Sequence, residues 1–136
     1  MSSRRRLEEL YIHGMRSLWP IERKILELTA AEYPASGEIL RRQIEGVQVV
    51  SFKNSGAGFF SNLVVSADAP LLAETSPLSG AHGDVAGIEH GMGFIVFLTE
   101  GCISMIEGYC NGNGPTQDID FSGSTFELWP WSAHHT

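Results

Sequence analysis

Three features of the sequence predict an α+β domain. Apolar residues recur at helical spacing in the first third of the chain, runs of strand formers take over after Gly46, and the helices precede the strands in order. That order favours helices gathered on one face of an antiparallel sheet. The expectation is two or three N-terminal helices, within residues 4–45, packed on a sheet of about five strands within residues 47–131. At 136 residues the chain suits one domain, 1–136, with a single core.

A first helix is predicted over Arg4–Ser17, because Leu7, Leu10, Tyr11 and Met15 fall near one face. Pro20 suits the first turn of a second helix running to Glu32, with Ile21, Ile25 and Leu28 as its apolar stripe, and Pro34 stops it. Ser36 is placed to cap a third helix through Glu45, which Gly46 would end in a left-handed conformation.

Two strand-forming runs follow, Val47–Lys53 and Phe59–Val65, joined by the turn-like Asn54-Ser-Gly-Ala-Gly58. Residues 66–82 read as a long connection pinned by Leu71 and Leu72, and a third strand is predicted over Asp84–Glu89. The centre of the sheet is expected at the hairpin Gly93–Cys110, turning at Glu100-Gly101. With Thr99 facing Cys102, strict alternation sets Phe94 opposite Glu107 and puts Phe94, Val96, Leu98, Ile103, Met105, Glu107 and Tyr109 on the face that meets the helices. The mixed opposite face then needs a cover. The last apolar run, Phe126–Trp131, is either an edge strand ended by Pro130 or a segment packed over the helices.

The formal net charge of −7 argues against a nucleic-acid binder, which needs a concentrated basic face, and against adhesion to anionic membranes. The Arg4-Arg-Arg6 run followed by Glu8 and Glu9 reads as a solvated helix end. No apolar run is long enough to span a bilayer, so a cytoplasmic protein is expected. Cys102 and Cys110 on one strand lie about 26 Å apart at the rise of a strand, beyond disulfide reach. Two reduced thiols are expected.

The segments Gly56-Ala-Gly-Phe-Phe60, His90-Gly-Met-Gly-Phe-Ile-Val-Phe97 and Ile106-Glu-Gly-Tyr109 resemble a family of small bacterial proteins with a Gly-x-Gly-Phe-Phe turn and a His-Gly-x-Gly-Phe hairpin. The family's closing motif is Leu-Glu-Gly-Tyr, where this chain has Ile106. The resemblance implies a shared fold and no assigned activity. It lends weight to Gly58, Phe59, His90, Gly93, Glu107, Gly108 and Tyr109 as a set.

One neighbourhood gathers titratable groups of different kinds. His82, Asp84, Glu89 and His90 flank the predicted third strand, and the hairpin brings Glu107 near their level. Glu107, His90 and Glu89 are therefore the candidates for catalysis. Gly56, Gly58 and Tyr109 are the candidates for ligand binding, the glycines through backbone amides, although turn chemistry explains them fully. No His-x-His, His-Glu-x-x-His or Cys-x-x-Cys motif is present, so no metal is assigned, and His134 and His135 read as an exposed tail. No nucleophile elbow, dinucleotide fingerprint or phosphate loop occurs, so no cofactor is assigned and the reading leans away from an enzyme. The expectation is a non-catalytic protein-binding module, one form of which is an immunity-type inhibitor of a basic partner. Self-association through the mixed face is a further expectation. The alternative is a small enzyme or ligand-binding protein using Glu89, His90 and Glu107.

Overall fold

Helix α1 spans Pro20–Glu32 in the computed structural model, which describes residues 15–133. Its first-turn proline presets φ, and Ile21, Ile25, Leu26 and Ala30 are buried along one face. Glu22 caps it, accepting a hydrogen bond from the Trp19 backbone N–H at 2.7 Å. Helix α2 spans Gly37–Glu45 and buries Leu40, Gln43 and Ile44. Its ends differ from expectation. The Ser36 hydroxyl donates to Glu74 at 2.6 Å instead of capping, and Gly46 has a φ of −104°, outside the left-handed region. Gly46 is explained by space, since a Cβ there would lie 3.0 Å from the Ser66 Cβ. The helix predicted over Arg4–Ser17 lies mostly outside the described residues, as do His134 and His135. Within its last turn, Arg16 instead forms an antiparallel bridge with Val49.

Six antiparallel strands make one sheet: β1 (Gln48–Asn54), β2 (Gly58–Val64), β3 (Leu78–Val85), β4 (Met92–Thr99), β5 (Cys102–Cys110) and β6 (Phe126–Pro130). Their spatial order is β1-β2-β5-β4-β3-β6, so the β4–β5 hairpin is central as expected and β6 is an edge strand. The third strand starts earlier than predicted. Gly80 and Gly83 make its sequence read as loop, yet both are needed because the neighbouring strands press close. A Cβ on Gly83 would stand 2.2 Å from the Glu127 carbonyl oxygen, and one on Gly80 would stand 2.7 Å from that of Phe94. The predicted end of this strand, from Ala86 to Glu89, is turn.

The register of the central hairpin corrects a further expectation. Thr99 pairs with Cys102 and Leu98 with Ile103, but Phe97 pairs with Met105, leaving Ser104 as an extra residue. Ser104 stabilises this bulge itself, its hydroxyl donating to the Phe97 carbonyl at 3.1 Å and accepting from Thr99 at 3.0 Å. One extra residue reverses every side chain beyond it. Glu107 therefore faces Ile95, not Phe94, and Met105, Glu107 and Tyr109 leave the helix-side face.

The core forms on the helix side of the sheet. Phe59, Met92, Phe94, Val96 and Ile106 are wholly buried beneath α1 and the 3-10 turn Phe121–Gly123. Each such side chain contributes about 1.5–3 kcal/mol by leaving water. Phe121 reaches in to pack 4.7 Å, centroid to centroid, from Phe59. The β1 edge is capped at one end by Arg16 and at the other by Asn54, whose amide donates to the Thr116 carbonyl at 2.8 Å.

Candidate functional site

Each buried polar side chain among the described residues is satisfied within the fold. Glu22 is fully buried; Arg16 grips it through two hydrogen bonds of 2.8 and 3.0 Å, and the Ser61 hydroxyl donates at 2.5 Å. The Arg16 guanidinium also lies 3.5 Å from the centre of the Trp19 ring. Gln43, equally buried, donates to the Pro70 and Gly101 carbonyls at 2.7 and 2.9 Å and accepts from the Ile103 N–H at 3.0 Å. It fastens both the β4–β5 turn and the long 65–77 connection to α2. Thr116 accepts from the Gly58 N–H at 3.0 Å and donates to Asn54 at 2.8 Å. No buried side-chain nitrogen or oxygen among the described residues lacks a partner.

The catalytic candidates are not brought together. Glu89 and His90 stand in the β3–β4 turn with side chains 82% and 62% exposed, 3.7 Å apart. The backbone at His90 and Gly91 is bonded to Asn111. Asn111 is four residues along the chain from Glu107, or about 13 Å at the rise of a strand. No group of three His, Cys, Asp or Glu among the described residues is arranged to hold a metal ion.

The ligand-binding candidates Gly56 and Gly58 are committed to the fold. The Gly56 N–H donates to the Asn54 side chain at 3.0 Å, and the Gly58 N–H is held by Thr116. Gly58 and Phe59 pair with Tyr109 and Gly108, which in turn pair with Gly93 and Phe94. Within this three-strand block the glycines make room for rings. A Cβ on Gly108 would meet the Phe59 ring at 2.8 Å, and one on Gly93 would meet the Tyr109 ring and hydroxyl at 2.4 Å. Six of the seven residues weighted as a set, all but His90, lie in this block.

What the sheet leaves exposed is its other face. Phe60, Ile95, Phe97, Met105 and Tyr109 point away from the helices and are half-buried. At the β4–β5 tip the face dips into a trough of about 650 Å³, lined by Val50, Val64, Phe97 and Met105 with Thr99 and Ser104 at the rim. At the other end, Tyr109, Gly93, His82 and Trp129 follow one another across four strands. His82 lies 2.9 Å through Nε2 from the Ala133 carbonyl, and its ring is tilted against Trp129 at 6.0 Å. Beyond them Asp84 and Glu127 sit directly opposite each other on adjacent strands, both exposed and neither in an ion pair among the described residues. Burial pushes the Tyr109 phenol above its usual 10.0, and the adjacent Glu107 carboxylate pushes it further.

Sequence reasoning grouped His82 and Asp84 but missed Glu127 and Trp129, which the β3–β6 pairing brings beside them. The alternation Phe126-Glu-Leu-Trp129 carried the signal, since its polar member and second ring belong to the open faces of a half-buried edge strand. Compared with known proteins, the chain matches no family model, no curated protein and no solved structure.

Proposed function

We propose that this is a non-catalytic protein-binding module that works through the open face of its sheet. The observation that supports this is the cluster of Phe60, Ile95, Phe97, Met105 and Tyr109 around Glu107, on a face that no described helix covers. Large apolar residues scattered singly need no explanation, whereas a connected patch of them on a rigid sheet is the usual mark of an interaction surface. The wide separation of the Glu89–His90 pair from Glu107 weighs against acid–base chemistry there. The trough does not favour a polar small molecule, because its Asn62 amide donates to Ser51 at 2.8 Å and its Thr99 and Ser104 hydroxyls bond each other.

Affinity capture from the source cell, with quantitative mass spectrometry, tests the reading. Wild-type protein and Lys24→Glu, altered on an exposed position of α1, are expected to recover the same partner in stoichiometric amount. The double variant Phe60→Ser/Met105→Ser is expected to lose it while keeping a cooperative unfolding transition. Recovery unchanged by the double variant, or abolished by Lys24→Glu, would place the binding surface elsewhere.

A further inference from the structure

We infer that the occupant of the open face is a basic amphipathic segment of another protein, seating an apolar side chain in the trough and lysine or arginine side chains against Asp84, Glu127 and Glu107. This deepens the proposed function and rests on the open face being the binding surface. The support is the distribution of charge. The face carries three carboxylates, Glu107 within the apolar patch and the Asp84–Glu127 pair at the β3–β6 end, and the only cation among its described residues is Lys53 on edge strand β1. Like charges directly opposite on adjacent strands disfavour the free sheet. Cations from a partner would relieve that repulsion, so the arrangement is complementary to a basic surface.

Geometry narrows the occupant further. The trough and the acidic end are separated by at least the four residues from Met105 to Tyr109, about 13 Å along β5. One segment with an apolar anchor and a basic end can span both, and the rings of Tyr109 and Trp129 between them offer flat apolar surface to the stems of lysine or arginine. A second copy of this chain fits less well. Two such faces meeting would oppose six carboxylates with two lysines. A nucleic acid would meet the same repulsion through its phosphates.

The test is a titration of the full-length, nitrogen-15-labelled protein with three synthetic peptides, followed by NMR. The probes are an amphipathic leucine–lysine peptide, its leucine–glutamate analogue and its serine–lysine analogue. The leucine–lysine peptide is expected to shift the amides of Phe60, Met105, Tyr109 and His82, with both analogues much weaker. Asp84→Asn/Glu127→Gln is expected to weaken it about five- to tenfold, a loss that shrinks in high salt because exposed charges are screened. Equal binding by the leucine–glutamate peptide on the same amides would overturn the basic partner and leave the open-face reading standing. Shifts confined to α1 and α2, or no shifts with any probe, would overturn both. A dimer in sedimentation whose dissociation moves the open-face amides would replace the heterologous partner with a second copy.

Discussion

Glu22 shows how a carboxylate can be wholly buried without being a functional acid. It accepts from two guanidinium nitrogens, a backbone N–H and a serine hydroxyl, so desolvation is offset at every position and no oxygen is left to receive a substrate proton. Removing it leaves Ser61 without its acceptor and Arg16 with only the Ser17 carbonyl. Glu22→Ala is expected to cost about 3–5 kcal/mol in urea unfolding, as for a broken buried ion pair. Ser61→Ala removes one donor of four and is expected to cost only about 1 kcal/mol. Equal costs would mean that the network is not centred on the carboxylate. Tyr109 gives a pH signature. Its phenol holds a proton more tightly in the folded chain than in the unfolded one, and burial acts likewise on the Cys110 thiol, above its usual 9.0. The unfolded chain therefore releases these protons first, so stability is level at lower pH and falls as pH rises through about 9 and then 10. Tyr109→Phe is expected to reduce the part of that fall above pH 10. A profile identical to that of the wild type would show that the phenol titrates alike in both states.

Ser104 decides which face of β5 each later side chain occupies, and this is where the sequence was least legible. Hydrophobic alternation correctly indicated a hairpin over Gly93–Cys110 and its turn at Glu100-Gly101, yet a bulge adds a residue without changing composition, so strict alternation sent Glu107 to the wrong side. The three strands around Gly58, Gly93 and Gly108 posed the opposite difficulty. Of these only Gly58, with Gly56 before it, read as a candidate for ligand binding, but a glycine pressed against a neighbouring strand and a glycine beside a phosphate have the same letter, and only the cross-strand partner tells them apart. By contrast the bounds of α1 were legible, because Pro20 and Pro34 are local signals, although its buried stripe includes Leu26, which the spacing passed over, while Leu28 is only half-buried. The bulge makes a sharp prediction at this scale. Deleting Ser104 would restore strict alternation and drive Glu107 into the core while exposing Ile106, so the variant is expected to lose cooperative unfolding and near-ultraviolet circular dichroism. Ser104→Ala keeps the extra residue and loses only its hydroxyl bonds, at about 1 kcal/mol. A well-folded deletion variant would mean that the register is set elsewhere in the sheet.

The whole molecule divides its labour between the two faces of one sheet. The helix side holds the core and the internally bonded polar groups, and the open side holds the aromatic patch, the trough and the carboxylates. The segregated α+β arrangement could be read from element order, whereas the neighbours Asp84 and Glu127, far apart in sequence, become visible only once β6 is laid against β3. On the proposed reading that pair serves a partner, because groups retained for binding can disfavour the free protein. The most direct measurement is the urea-unfolding free energy of Asp84→Asn/Glu127→Gln at low salt, beside its affinity for the leucine–lysine peptide. The variant is expected to be more stable than the wild type by about 0.2–1 kcal/mol, since opposed like charges are removed, and to bind the basic peptide several-fold less tightly. A variant that is destabilised, or that binds the peptide as tightly as the wild type, would contradict the assignment of these carboxylates to a basic partner.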